Sequence, residues 1–273
     1  MALTQGYFYI GLGKQYIDES ELLVNTIRKQ NDQRPVSLLI HKEDEEYARS
    51  KNIFDQYVYF EPSGALWKES TTGFEKYCLY PRIHFDDYLV YDETIITDTD
   101  VLCQAPTDNL WKYLSEQPYP IRMLGRKNDP NWHWGQINRV IQKFKRHVPH
   151  VHGGFFYLRK TTNDYALGKF FSIAKMFFYA YDDLECIRGF RGGRVDEIIF
   201  ALTHSFLNIM PVEFDEKPVM TFNYTPDIKI PSKLQTEAGQ NVELDDYIPF
   251  VHMFDKMGGT NFTALYNKIM NGE

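Results

Sequence analysis

The sequence is short of several features that define large protein classes. It has three cysteines in 273 residues, Cys78, Cys103 and Cys186, which are far apart and odd in number. They form no CxxC pair and no disulfide framework, and read as reduced thiols of an intracellular protein. The opening "MALTQGYFYIGLG" lacks the basic stretch and long apolar run of a secretory leader. The greasiest later segment, "KFFSIAKMFFYAY", is interrupted by Lys175 and is too short to span a bilayer. A cytoplasmic protein without a transmembrane segment is therefore expected. Positive charge is scarce as well: 30 Lys and Arg against 37 Asp and Glu leave a formal net charge of −7. A general nucleic-acid binder would show the opposite balance, although local basic clusters can still hold a small anion. Repeats, low-complexity segments and linkers are absent, so a single domain over 1–273 is expected.

Aromatics, by contrast, are plentiful. They make up 16% of the chain, with 19 Tyr and 20 Phe. Most must lie in the core, and the rest can line a site, because flat ligand faces stack on aromatic rings.

The first hundred residues alternate in type. "YFYIG" reads as a buried strand, "DESELLVNTIRKQN" as a helix capped by Asp18 with Glu21 three residues on, and "VSLLI" as a second strand. A charged helix "KEDEEYARSK" follows, then a third strand "QYVYF", a helical "GFEKYCLYPRI" that Pro81 should disturb, and a fourth strand "TIIT". Strands alternating with helices predict an α/β layer with a mostly parallel, Rossmann-like sheet flanked by helices. Ligands bind at the carboxyl ends of strands in such sheets. Further on, "GGFFYLRK" reads as a strand and "VDEIIFALTHSFL" as a helix. Loops and short strands are expected from Lys217 to Asp246. "TNFTALYNKIM" closes the chain as an amphipathic helix with Phe262, Leu265, Tyr266 and Ile269 on one face.

The fourth strand ends in "TDTDVL", with Asp98 and Asp100 one residue apart. Three readings compete. Turns are rich in aspartate for local hydrogen-bonding reasons, and alone the pair favours a turn. Two carboxylates at i and i+2 can also face one hard cation such as Mg²⁺ or Mn²⁺. The form of the segment also fits a haloacid-dehalogenase-type phosphatase with Asp98 as nucleophile, although that motif normally ends the first strand.

The ordered blocks "YFYIGLGKQYIDESELLVNTIRKQ", "FEKYCLY", "TIITDTDVL", "VHGGFFYLRK", "GRVDEIIFAL" and "YIPFVHMFDK" resemble glycogenin-like retaining glycosyltransferases, family 8 and relatives of the GT-A fold. The resemblance implies a GT-A fold with a nucleotide-binding half (1–105) and an acceptor and sugar half (106–273). It implies a hexosyltransferase-type enzyme that uses Mn²⁺ or Mg²⁺ to move sugar from a UDP-sugar to an unknown glycan, protein or lipid acceptor with retention. Asp98, Asp100 and His252 match the metal ligands, and Asp98, with Thr99 beside it, also reaches the ribose. Ile10, Gly11 and Leu12 match the strand end around the base, and Tyr16 matches the tyrosine that stacks on uracil. Lys76 matches a helix lysine near the donor, and Lys256 the lysine that holds the diphosphate, at a shorter spacing from His252 than the family pattern. Asp196 matches the acid of a "DQ" pair near the donor sugar, with Glu197 in place of the glutamine; both are candidate catalytic residues. Departures are the inserted "FDDYLVYDE" and His152 where asparagine is common. A non-catalytic nucleotide-sugar-binding protein on the same fold is a further alternative.

Each remaining candidate has an ordinary structural counterpart. A lone histidine after an apolar run, like His252, is commonly a hydrogen-bonded structural residue. His147, His150 and His152 lack ligand spacing and read as a polar loop entering a strand. Gly153 and Gly154 allow a close ligand approach or a bulge. In "RGFRGGRVDE", Arg191 and Arg194 read as part of a mobile lid that contacts the diphosphate or an acidic acceptor, or as part of a plain surface loop. "QKFKRH" reads as a solvated helix face. Asp196 and Glu197 also suit a helix N-terminus. Trp132 and Trp134 read as an acceptor platform or a packed loop.

Overall fold

The computed structural model describes residues 4–127, 137–160, 165–181, 194–213, 219–223, 233–235, 241–243, 248–253, 257 and 259–272. In chain order the first elements are β1 (Gln5–Ile10), α1 (Lys14–Lys29), β2 (Val36–Ile40), α2 (Glu45–Ser50), β3 (Gln56–Tyr59) and α3 (Gly64–Glu69). The short helices α4 (Tyr80–Arg82) and α5 (Phe85–Tyr88) lead to β4 (Glu93–Thr97), β5 (Val101–Cys103), α6 (Asp108–Ser115) and β6 (Ile121–Arg126). Then come α7 (Ile137–Phe144), β7 (His150–Arg159), α8 (Tyr165–Ala180), α9 (Asp196–Leu207) and the short strands β8 (Val212–Glu213), β9 (Met220–Asn223), β10 (Lys233–Gln235) and β11 (Asn241–Glu243). The strand β12 (Phe250–Met253) and the helix α10 (Thr260–Asn271) close the chain. The class is α/β, with helices alternating with a mixed set of strands. Among the described residues no helix is long and apolar enough to cross a membrane.

The chain divides into two compact units. One comprises 6–59, 96–117 and 213–273. There β1, β2 and β3 pair in parallel, with Tyr7 opposite Val36 and Ser37 opposite Gln56. All five residues of β2 are buried, as in a parallel strand covered on both faces. The strand β12 pairs antiparallel with β5 and parallel with β9. Against them lies α10, which contributes Phe262, Leu265 and Ile269 to a core with Leu102, Val251 and Met253. That is the apolar face read from the sequence. A buried polar network ties the unit together: Tyr7 Oη donates to Asp32 (2.7 Å) and Trp111 Nε1 donates to Tyr7 Oη (3.0 Å). Arg34 Nη1 pairs with Asp32 at 2.9 Å.

The other unit comprises 1–5, 60–95 and 118–212. Its β6 and β7 pair antiparallel, with a register shift between Met123 and Leu124: Met123 faces Phe156, whereas Leu124 faces His152. The extra residues on β7 include Gly153 and Gly154, so this glycine pair forms a bulge. The helices α8 and α9 pack together, and Phe170, Phe171, Phe156 and Phe200 are fully buried. Much of the aromatic excess is therefore core.

Two local expectations are corrected. The helix α1 starts at Lys14, not at Asp18, because Gly13 takes a left-handed φ of 117° and turns the chain directly from β1 into the helix. Asp18 accepts a hydrogen bond from Tyr47 Oη (2.7 Å) and pairs with Lys51. Pro81 does not disrupt its segment. A π-helical turn, Glu75–Leu79, precedes it, with Tyr80 N–H bonded to Glu75 O, and Pro81 falls in the first turn of α4, where a missing N–H costs nothing.

Candidate active site

The acid pair lies in the short turn between β4 and β5, with Asp98, Thr99 and Asp100 all half-buried. Far along the chain, β12 pairs with β5 so that His252 stands opposite Val101, the residue after Asp100. Met253 N–H donates to Asp100 O at 2.8 Å and extends that ladder to the turn. The result is convergence: His252 Nε2 lies 3.0 Å from Asp100 Oδ1 and 3.8 Å from Asp98 Oδ2. One ligand atom from each residue lies within 4.8 Å of the other two. His252 is 6% exposed, so its imidazole is committed to this spot.

The same unit holds the residues expected around a base. Gly11, after the end of β1, donates its N–H to Leu39 O (2.8 Å), and a Cβ there would meet Leu38 Cδ1 at 3.0 Å. Ile10 is half-buried and Leu12 is buried. Tyr16, in the first turn of α1, is 40% exposed, as a stacking platform requires.

In the other unit a second polar cluster surrounds the first turn of α9. Asp196 and Glu197 are both buried. Arg82, from α4, donates to Asp196 Oδ2. Gly153 N–H donates to Glu197 Oε1 at 3.1 Å. His152 Nδ1 accepts Gly154 N–H (3.0 Å), which places the proton of a neutral ring on Nε2, 3.9 Å from Glu197 Oε1. Gly153 is required here, because a Cβ would lie 2.6 Å from Asp196 Oδ2 and 2.9 Å from Arg82 Nη1. Lys76 is half-buried, with Nζ 5.4 Å from the centre of the Trp67 ring.

Arg194 requires a correction. It is not a lid residue aimed at a diphosphate: it is 9% exposed, its guanidinium lies 4.4 Å over the Phe178 ring, and Nη1 is 3.2 Å from Glu69 O and 3.6 Å from Glu75 Oε1. The cause is Glu75, which gathers N–H donors from Thr71 (2.6 Å) and from Arg194 itself (3.0 Å). Burial pushes the Glu75 carboxyl upward, but these donors outweigh it and hold it below the usual carboxylate range. Arg191, Lys256, Trp132 and Trp134 lie outside the described residues.

No protein-family model and no curated protein sequence matches the chain. Solved structures do. Mouse xyloside xylosyltransferase 1, in its apo form, superposes with a TM-score of 0.57 at 8% identity, covering 91% of this chain and 96% of that one. The galactosyltransferase LgtC, in complex with donor and acceptor sugar analogs, gives 0.58 at 10% identity, covering 96% and 95%. The apo glycosyltransferase GlyE of Streptococcus pneumoniae gives 0.54 at 10% identity, covering 98% of this chain and 62% of that one. The chain has the GT-A glycosyltransferase fold.

Within a GT-A fold the acid turn fits a divalent cation on its own chemistry. Two carboxylates and one imidazole nitrogen are donors for Mn²⁺ or Mg²⁺, they are close enough to share one ion, and three protein ligands leave positions open for ligand oxygens. The phosphatase alternative is not favoured: the acid pair follows the fourth strand, and a histidine faces it. Sequence reasoning missed Arg82, Glu75 and Glu19, a buried carboxylate on α1 that accepts a hydrogen bond from Thr99. For Glu19 a signal existed: an acid interrupts the buried face of α1 formed by Ile17, Leu23, Val24 and Ile27.

Proposed function

We propose that this protein is a nucleotide-sugar glycosyltransferase that transfers a hexose from a UDP-sugar to an acceptor with retention of configuration. The observation that carries the reading is the meeting of Asp98, Asp100 and His252 at the carboxyl end of β4, brought together across more than 150 residues. Mn²⁺ or Mg²⁺ held there would act as a Lewis acid that neutralises the diphosphate leaving group. Tyr16 stacks on the uracil, Ile10, Gly11 and Leu12 line the base, and Asp98 and Thr99 border the ribose. The Arg82 pairing supports Asp196 as an electrostatic and positioning group rather than a free nucleophile, because the guanidinium occupies the carboxylate oxygen that would attack. Glu197 orients the Gly153 backbone.

Calorimetry with UDP and Mn²⁺ tests the assignment. The wild type binds UDP only with Mn²⁺, and Asp100→Ala abolishes that dependence. No binding by the wild type, or equal binding by the variant, would overturn the site. Slow donor hydrolysis, screened over UDP-hexoses, then separates an enzyme from a binding protein of the same fold.

A further inference from the structure

The middle residue of the acid turn is held from behind by a buried carboxylate. Thr99 Oγ1 donates to Glu19 Oε2 at 2.6 Å, the length of a hydroxyl bonded to a carboxylate, and Gln15 Nε2 donates to Glu19 Oε1 at 3.1 Å. Glu19 is 1% exposed, and among the described residues it has no lysine or arginine partner. A buried carboxylate whose partners among the described residues are two neutral donors is costly by itself, so its placement needs a reason. A second tie comes from the same helix: Thr26, about two turns further on, accepts Cys103 N–H through Oγ1 at 2.9 Å. One rigid helix thus grips the segment from Thr99 to Cys103 at both ends. Asp98 and Asp100 flank Thr99 directly, so any rotation of the Thr99 backbone swings both carboxylates away from His252.

We infer that Glu19 is the positioning residue of the cation site: through Thr99 it fixes the geometry in which Asp98 and Asp100 converge with His252. Because Tyr16 stands on the same first turns of α1, the helix sets the cation end and the base end of the donor site in one piece. This rests on the cation-site reading proposed above. Groups that orient metal ligands through hydrogen bonds typically change metal affinity by about 10- to 100-fold when removed.

The test is Mn²⁺ binding to the intact chain without nucleotide, read from the electron paramagnetic resonance signal of free Mn²⁺. It compares the wild type with Glu19→Ala, Glu19→Gln, Thr99→Val and the Glu19→Ala/Thr99→Val pair. The wild type binds. Thr99→Val keeps the shape of the side chain but removes the hydroxyl, and weakens binding about tenfold. Glu19→Ala does the same. The double variant is no weaker than Glu19→Ala, because both changes break one link. Glu19→Gln keeps an oxygen for Thr99, with the Gln15 amide turned over, and stays within about threefold of the wild type. If Glu19→Ala does not fold, the contrast between Thr99→Val and Glu19→Gln decides. Unchanged affinity in Thr99→Val, or Glu19→Gln as weak as Thr99→Val, overturns the inference while leaving the cation site standing. No Mn²⁺ binding by the wild type overturns both.

Discussion

Replacing Gly153 by alanine would place a methyl carbon 2.6 Å from Asp196 Oδ2 and 2.9 Å from Arg82 Nη1. Ordinary contacts between such atoms are about 3.5 Å, so the carboxylate and the methyl are roughly 1 Å too close. Two routes relieve the clash. The bulged backbone of β7 can shift, at the usual overpacking cost of ~1–3 kcal/mol. Alternatively Arg82 and Asp196 can separate, but Asp196 is buried and Arg82 half-buried, and stranding a carboxylate in such a place costs up to ~3–5 kcal/mol. The backbone shift is the cheaper route and wins. The stiffer unfolded chain of alanine returns up to ~1 kcal/mol, which leaves a net loss of about 1–2 kcal/mol. Urea unfolding followed by tryptophan fluorescence measures this, and donor hydrolysis by the same variant reports the displacement of Asp196. Gly168→Ala is the internal control. It lies within α8 with nothing within 4 Å of the added Cβ, and should stabilise by about 0.5–1 kcal/mol. If Gly153→Ala matches the wild type in both stability and hydrolysis, the close packing of Gly153 on the Arg82–Asp196 pair is refuted.

Two further outcomes concern pH and the core. His204 is fully buried, with Nδ1 2.8 Å from Phe200 O; burial, aided by Arg122 and opposed by that carbonyl, pulls its pKa down to about 4. Protonation then favours the unfolded chain, so this contribution is complete above about pH 6.5 and is lost as pH falls from there towards 4; His204→Leu flattens that part of the stability–pH curve, and an unaltered slope would count against it. At Asp32, burial pushes the carboxyl up, but Thr107, Tyr7 and Arg34 outweigh it and hold it low, so its stabilisation is present above the unfolded value of about 3.9 and is lost as pH falls through the lower folded one. Tyr7→Phe removes one of those donors and the hydroxyl that accepts the Trp111 Nε1–H, which should cost about 1–3 kcal/mol in urea unfolding at pH 7, with a loss under ~0.5 kcal/mol refuting the network.

Much of this architecture was legible because it follows from periodicity. The five-residue apolar run Val36–Ile40 is β2 without adjustment, the helix read from Val195 to Leu207 differs from α9 by one residue, and Asp98 follows the fourth strand as expected. Errors arose where a local signal had a stronger rival. Asp18 had the spacing of a capping box, but Gly13 ended the preceding loop first. Arg194 looked like part of a glycine-rich lid, yet a buried glutamate and an aromatic face offered it a better place than solvent.

The sequence by itself determined which apolar segments would be buried, which segments would alternate, and that two aspartates would sit at a strand end. These are matters of residue type and spacing along the chain. Only the tertiary structure decided that His252 stands at Asp100, that Glu19 grips Thr99, and that Arg82 neutralises Asp196. Each depends on which strand or helix becomes a neighbour, a choice made by packing over 80 to more than 150 residues of intervening chain, where no periodicity reaches.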